Sequence, residues 1–314
     1  MKKLVSLLLV AVMSVGMFAA CGNNEPVTFE KKNPASMQNI SYASNHEDQV
    51  CDIFLPERTT LTPVIVLVHG GGFKFGDQGM TVIQPVIERA VKEGYAVVSV
   101  DYRKSGDATY PAALADVKAA VRYVRANAEK FDLDTDKIVI WGESAGAYLS
   151  VMTALTPEVD ALNGDVTDNA DQSSKVAALV DFYGPIEFYT MQAESDALNL
   201  GKDFNGESSF ESAFLGQALD KDKEKTYETY WETYKDELPG NFKLSAWVQV
   251  GDSDARVPYT QSENFAKRLV DVIGEDNVKF GIIEGADHED DLFYTEENLS
   301  NVFEYLNTVL EWSK

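Results

Sequence analysis

The sequence contains little cysteine, little histidine and little positive charge. Its 314 residues include only two cysteines, Cys21 and Cys51. A disulfide framework is therefore not expected, and stability must come from a hydrophobic core. Lysine and arginine total 27 against 51 acidic residues, which gives a net charge of −24. A surface this acidic argues against nucleic acid and anionic membranes as partners, because both require a basic footprint.

The rest of the composition is that of an ordinary globular protein, with 45% hydrophobic and 25% charged residues. Disorder and fibrous folds are therefore unlikely classes. Cys51 lies in the alternating run Val50–Leu55, which predicts a buried strand thiol rather than a reactive one.

The first 20 residues have the pattern of an export signal. Lys2 and Lys3 precede an apolar stretch that ends in Ala19-Ala20 before Cys21, and this stretch is short for a transmembrane helix. The end of the stretch resembles a bacterial lipobox, so we expect a signal peptide over 1–20 and lipid attachment at Cys21. Residues 21–38 are then an anchor and polar tether, and the protein would lie in the bacterial cell envelope. Ordinary cleavage and free secretion is the alternative.

The remaining chain, 39–314, alternates continuous apolar runs with helical patterns, which predicts an α/β fold: a mostly parallel central sheet covered by helices on both faces. Two earlier runs, Ile40–Tyr42 and Val50–Leu55, predict an antiparallel edge pair. The predicted buried strands are Val64–Val68, Ala96–Val100, Lys137–Trp141, Val176–Phe182, Ala246–Val250 and Val278–Ile283. The predicted helices are Val82–Lys92, Ala112–Ala128, Ala145–Leu155, Ser262–Ile273 and Glu296–Trp312.

Residues 184–243 interrupt this alternation and predict a cap-like insertion over one edge of the sheet. Within it Tyr227, Tyr230, Trp231 and Tyr234 have the spacing of one helix face. This stripe is either internal packing or a wall against the substrate.

Residues 142–146 read Gly-Glu-Ser-Ala-Gly, and they lie between a predicted strand and a predicted helix. This is the pattern of a nucleophile elbow, in which flanking glycines let strand and helix approach closely. We therefore predict Ser144 as a catalytic nucleophile.

A glycine run, His69-Gly70-Gly71-Gly72, follows the strand Val64–Val68. Backbone N–H groups free of side chains are what an oxyanion hole needs. Gly71 and Gly72, together with the N–H of Ala145, are the predicted donors. A flexible turn or a phosphate-binding loop is the alternative, but no P-loop lysine follows.

Only His46, His69 and His288 are available as a catalytic base. In α/β-hydrolases the order along the chain is serine, acid, histidine, and His288 alone follows Ser144. His46 is expected in solvent, and His69 is expected to order the glycine loop.

The acid should follow the strand Ala246–Val250, where Asp252 and Asp254 both qualify by position. Proline is favoured at a first helical position, so Pro258 indicates that the turn ends at Val257 and includes Asp254. Asp252, immediately after the strand, is better placed to cap the turn.

Taken together, these motifs and the intervening Asp101-Tyr102-Arg103 and Tyr110-Pro111 resemble the esterase/lipase group of α/β-hydrolases related to hormone-sensitive lipase. The likeness is greatest to its bacterial acetyl-, feruloyl- and xylan-ester hydrolases. The resemblance implies a Ser–His–Asp triad with no cofactor and no metal. It also places the acid in an Asp-x-x-Val-Pro pattern, which is Asp254 here. Residues 184–243 show no resemblance to that group from which a role could be inferred.

The expected activity is that of a serine carboxylesterase acting on neutral esters through an acyl-enzyme, with acetylated or feruloylated polysaccharides as candidate substrates. A serine peptidase of the same fold and a non-catalytic surface binding protein are the alternatives. The membrane is expected as a partner only through the lipid, and the oligomeric state is left open.

Overall fold

The computed structural model describes residues 36–57 and 60–313. The predicted signal peptide, Cys21 and most of the tether lie outside these residues. The first strand starts at Met37, two residues before the boundary expected at 39, because Met37 pairs with Ile53 of the next strand.

Continuous β-branched and apolar runs form the centre of one eight-stranded sheet, as predicted. Its order is β1-β2-β4-β3-β5-β6-β7-β8. The edge pair is antiparallel, β2 runs antiparallel to β4, and all other neighbours are parallel. The strands are β1 Met37–Ser41, β2 Val50–Phe54, β3 Thr62–Val68, β4 Ala96–Val100, β5 Leu133–Glu143, β6 Ala178–Phe182, β7 Ser245–Gly251 and β8 Val278–Ile283.

Helices cover both faces of the sheet. Those over residues 36–57 and 60–313 are α1 Gln84–Lys92, α2 Ala112–Ala126, α3 Ala128–Phe131, α4 Ala145–Leu155, α5 Phe188–Leu198, α6 Phe210–Leu215, α7 Lys223–Tyr227, α8 Thr260–Ile273 and α9 Glu296–Val309, with short 3-10 turns at Asp160–Asn163, Trp231–Glu237, Glu275–Asn277 and Asp291–Tyr294. One apolar core includes α2, α4 and the insertion, and the other includes α1 and α9. Cys51 lies buried in β2, as expected.

The parallel register brings the candidate functional segments to one edge of the sheet. Val68 at the end of β3 pairs with Gly142 near the end of β5, and Glu143 pairs with Phe182 at the end of β6. The loops that follow these strands and β7 and β8 therefore meet at the carboxyl edge, where α/β folds place their ligands.

The predicted aromatic stripe does not lie on one helix. Helix α7 ends at Tyr227, and Tyr230 has an extended backbone before a separate 3-10 turn begins at Trp231. The Glu228 carbonyl accepts from the hydroxyls of Tyr110 and Tyr234, so side chains replace the helical N–H donors there. Trp231 is consequently fully buried, whereas Tyr227 is exposed.

None of the helices over residues 36–57 and 60–313 combines the length and the apolar character that crossing a membrane would require.

Candidate active site

Ser144 occupies a strained turn between β5 and α4. Its backbone has φ 53° and ψ −122°, a conformation that non-glycine residues rarely adopt and that is found at nucleophile elbows. A Cβ on Gly142 would collide with the backbone of Gly146, and a Cβ on Gly146 would collide with the carbonyls of Val68 and His69. The two glycines therefore permit the close approach of strand and helix that holds Ser144 in this turn.

The structure brings Ser144, His288 and Asp254 into one hydrogen-bonded series. The Nε2 atom of His288 lies 2.9 Å from the Ser144 Oγ, and Nδ1 lies 2.8 Å from the Asp254 Oδ2. The side chains of His288 and Asp254 are almost completely buried. With Nδ1–H donating to Asp254, Nε2 is free to accept the serine proton, which is the arrangement that general-base activation of a hydroxyl requires.

The two acid candidates lie in different environments. The second carboxylate oxygen of Asp254 accepts from the backbone N–H groups of Arg256 and Val257, each at 2.8 Å. Asp252 is exposed and accepts from the N–H of Gly285 at 2.7 Å. It therefore links its turn to the loop that carries His288 rather than capping its own turn, and its side chain is not the partner of the histidine.

Asp287 ties the acid loop to the histidine loop a second time. One of its oxygens accepts from the N–H of Ala255 at 2.8 Å and from the N–H of His288 at 2.7 Å. These backbone hydrogen bonds, with His288 and Arg256 nearby, lower the pKa of Asp287 against the desolvation that raises it. A charged Asp287 thus fixes the positions of both loops.

The glycine loop adopts left-handed backbone conformations at Gly71 (φ 105°) and Gly72 (φ 60°). A Cβ on Gly72 would lie 2.6 Å from the Phe210 ring, so a larger residue could not be accommodated. Over residues 36–57 and 60–313, no protein acceptor takes the N–H of Gly71, Gly72 or Ala145. These three donors are free to bind an external oxygen beside Ser144.

His69 fixes the glycine loop from behind. Its fully buried ring places Nδ1 2.7 Å from the Gly70 carbonyl and Nε2 3.0 Å from the Asp101 carboxylate. Tyr102 stacks on it and donates from its hydroxyl to the His69 carbonyl at 2.9 Å. His69 therefore orders the loop, as predicted. His46, which was expected in solvent, is partly exposed and accepts from the Asp48 N–H.

A buried acid next to Ser144 was not identified from the sequence. The Glu143 side chain lies fully inside the protein next to the hydroxyls of Tyr183 and Tyr294, which hydrogen-bond each other. Burial raises the pKa of Glu143 to about 8, and the tyrosine hydroxyls only partly oppose this rise. The Tyr183 ring packs 4.7 Å from that of His288. The sequence shows only a single acidic residue within the pentapeptide 142–146, and this does not predict which tyrosine side chains will lie next to it.

Helix α6 of the insertion forms the wall beside the glycine loop, which the sequence also did not reveal. Phe210 covers Gly72, and Phe214 stacks on Phe73 with ring centroids 4.1 Å apart. Glu211, which lies between these two residues in the sequence, is 6% exposed. Burial raises the pKa of Glu211 to about 7, while its own backbone N–H and the charges of Arg256 and His288 lower it.

The sequence matches known proteins over most of its length. It is 27% identical to Esterase LipC of Mycobacterium tuberculosis over 239 residues, which is 74% of this chain and 54% of that protein. It is 28% identical to Esterase LipQ of the same organism over 278 residues, 83% of this chain and 59% of that protein. The chain thus spans little more than half the length of these curated relatives.

Solved structures superimpose on a larger share of this chain than the curated relatives cover. A truncated carbohydrate esterase from gut microbiota superimposes with a TM-score of 0.76 at 25% identity, covering 91% of this chain and 99% of that one. A bifunctional GH43-CE protein of Bacteroides eggerthii gives a TM-score of 0.74 at 29% identity, covering 87% of this chain and 38% of that one.

The family profile named BD-FAE matches residues 51–269, a span that includes the glycine loop, the elbow and Asp254. These matches confirm the resemblance to α/β-hydrolase esterases that the motifs indicated. The chain belongs to the BD-FAE family of α/β-hydrolases.

Proposed function

We propose that this chain is a serine carboxylesterase that works through an acyl-enzyme. The observation that carries the proposal is the hydrogen-bonded series Ser144–His288–Asp254, with 2.9 Å and 2.8 Å separations, at the carboxyl edge of the sheet. Membership of the BD-FAE family and similarity to proteins named as esterases support the same reaction class.

In the first half of the reaction Ser144 attacks the ester carbonyl. His288 takes the hydroxyl proton on Nε2, while Asp254 holds Nδ1–H and stabilises the imidazolium that results. The proton then passes from Nε2 to the oxygen of the departing alcohol, and the acyl group remains on the serine. In the second half His288 removes a proton from water, which attacks the acyl-enzyme and releases the acid.

Both halves pass through a tetrahedral intermediate whose oxygen carries negative charge. The free N–H groups of Gly71, Gly72 and Ala145 are the donors for this oxygen, and Ala145 adds the positive end of α4. Loss of one such donor typically costs ~10²–10³-fold in kcat.

The proposed substrates are neutral esters with a small or aromatic acyl group carried on a polysaccharide. A net charge of −24 disfavours polyanions. Similarity to a protein described as a carbohydrate esterase supports a sugar-linked ester, as do the aromatic side chains of the insertion that face the glycine loop.

The proposed location is the bacterial cell envelope, with the chain anchored through lipid on Cys21. The support is the sequence of residues 1–21, in which an apolar stretch ends in Ala-Ala-Cys. Mass spectrometry of the mature N-terminus tests this: a diacylglyceryl-modified cysteine is expected, and an unmodified first residue would refute it.

The proposed reaction is tested by Ser144→Ala. The variant is expected to lose hydrolysis of p-nitrophenyl acetate and covalent labelling by an organophosphonate, with an unchanged circular dichroism spectrum. Ser173→Ala, on an exposed loop before the amino end of β6, is the matched control and should retain both. Labelling that survives in Ser144→Ala would refute the nucleophile. Faster cleavage of an aminoacyl-p-nitroanilide than of the acetate would identify a peptidase instead.

A further inference from the structure

Tyr183 follows β6 directly and has a backbone conformation that aromatic residues rarely adopt. Its φ is 48°, in the left-handed region where glycine is the usual residue. Its N–H donates to the Gln249 carbonyl at 2.9 Å, and its side chain is fully buried. The preceding Phe182 carbonyl accepts from the Ser144 N–H at 2.9 Å. The strain therefore lies at the candidate active site, where strained backbone is often part of the mechanism.

The strained residue directs its ring toward the candidate base. The ring centroids of Tyr183 and His288 are 4.7 Å apart, and the two planes are inclined at 60°. The Phe293 ring meets Tyr183 edge-on at 4.6 Å, and the hydroxyls of Tyr183 and Tyr294 hydrogen-bond each other. Over residues 36–57 and 60–313, no other aromatic ring packs against the imidazole. Tyr183 thus restrains the imidazole by packing, and is itself held in place from other elements.

The imidazole depends on such a restraint in one half of the proposed reaction. In the free protein Nε2 of His288 lies 2.9 Å from the Ser144 Oγ, and Nδ1 lies 2.8 Å from the Asp254 Oδ2, so both ends of the ring are held. Acylation bonds Oγ to the acyl carbon, and the serine proton leaves with the alcohol by way of Nε2. Oγ then has no proton to donate, and Nε2 loses its partner. In the acyl-enzyme the ring can turn about its bond to Asp254 unless packing prevents it.

We propose that Tyr183 is a positioning residue that keeps the His288 imidazole aligned in the acyl-enzyme. The inference rests on the proposed acyl-enzyme reaction. Deacylation requires Nε2 within hydrogen-bond distance of the attacking water. The water oxygen bonds to the acyl carbon while its proton passes to Nε2, and that proton then moves to the Ser144 Oγ as the ester bond breaks. Because only this half begins without the serine proton, the Tyr183 ring promotes deacylation more than acylation.

Stopped-flow kinetics with p-nitrophenyl acetate separates the two halves. The value of kcat/KM reports the steps up to release of p-nitrophenol, whereas the steady phase after a burst reports deacylation. Tyr183→Leu is expected to lower the deacylation rate constant by ~10-fold and to leave kcat/KM within ~3-fold, since a displacement of about 1 Å can cause a loss of this order. The variant should show a stoichiometric burst, and its KM should fall together with kcat.

Two control variants accompany Tyr183→Leu. Tyr183→Phe keeps the ring and its contact with Phe293, so its deacylation rate constant should stay within ~3-fold of that of the unaltered protein. Tyr95→Leu is the matched control, because Tyr95 is also fully buried but precedes the amino end of β4, at the opposite edge of the sheet from Ser144. It should leave both rate constants unchanged, even where it lowers stability.

Three kinetic results would overturn the proposal: an equal fall of kcat and kcat/KM in Tyr183→Leu, an unchanged deacylation rate constant in that variant, or a Tyr183→Phe variant as slow as Tyr183→Leu. A further test needs no variant and remains decisive if Tyr183→Leu does not fold. In a crystal structure of the unaltered protein labelled by an organophosphonate, Oγ is bonded and has no proton. The imidazole should still lie against Tyr183, and an imidazole turned away from it would refute the proposal. Failure of the esterase proposal itself would be seen separately, as p-nitrophenyl acetate hydrolysis that persists in Ser144→Ala.

Discussion

Replacing the buried acid Glu143 by glutamine should make the protein more stable at alkaline pH. In the folded chain burial raises the pKa of Glu143 from its ordinary value of 4.5 to about 8. Between these two values the folded state retains a proton that the unfolded state has released, so the free energy of unfolding falls as the pH rises. Stability is fully present below pH 4.5 and is lost progressively up to about pH 8.

The size of the effect follows from the length of that pH interval. At ~1.4 kcal/mol per pKa unit, the shift of Glu143 corresponds to ~5 kcal/mol, a large fraction of the 5–15 kcal/mol that holds a typical protein folded. Glu143→Gln keeps nearly the shape of the neutral acid and remains a donor and an acceptor, but it cannot ionise. The difference in unfolding free energy between Glu143→Gln and the unaltered protein should therefore grow by ~4 kcal/mol from pH 5 to pH 9.

Urea unfolding followed by tryptophan fluorescence at intervals of half a pH unit measures this difference without relying on activity. Other buried acids, such as Asp181, titrate in both proteins and cancel in the comparison. Glu129→Gln, at an exposed position of α3, is the control and should track the unaltered protein. Parallel curves for Glu143→Gln and the unaltered protein would refute the reasoning, because they would mean that Glu143 ionises as readily in the folded as in the unfolded chain.

Two further substitution pairs test other parts of the structure. Asp254→Asn should lower kcat by roughly 10³–10⁴-fold with KM nearly unchanged, the scale of triad-acid loss. Asp252→Asn should spare kcat, and the opposite ranking in steady-state kinetics would reassign the acid. Trp231→Ala should cost ~3–5 kcal/mol in urea unfolding because its side chain is fully buried. Tyr227→Ala should cost only about 0.5 kcal/mol because the Tyr227 side chain is exposed. Equal losses of unfolding free energy in the two variants would instead support a single helix that buries both residues on one face.

The sequence predicted those elements whose residues carry a strong local signal. The run Ala96–Val100 became β4 with unchanged bounds, because a strand buried on both faces must be apolar throughout. β5 begins at Leu133 rather than Lys137. Its polar first residues have the composition of a turn, and only the pairing of Leu133 with Thr62 makes them part of the strand.

The residues of the candidate site also divide into those with a strong local signal in the sequence and those without one. The positions of Ser144, His288 and Asp254 follow from short motifs and from the order of strands, and the structure brings the three side chains together. The contacts of Glu143 and Glu211 could not be predicted, since each depends on residues far away in the chain. The prediction that the aromatic stripe lies on one helix was wrong, although its spacing fits a helix. The hydroxyls of Tyr110 and Tyr234 donate to the Glu228 carbonyl in place of a helical N–H, and the helix ends there.

The stacking of Phe214 on Phe73 and the packing of Phe210 against Gly72 make the insertion a structural support of the glycine loop. In this protein the insertion and the glycine loop, which is the proposed oxyanion hole, share one apolar contact. An exchange of residues 184–243 for those of a relative would therefore change the turnover rate as well as the specificity, unless Phe73 were exchanged with it. For the same reason, substitutions in α6 that alter specificity during evolution would require compensating substitutions next to Gly71 and Gly72.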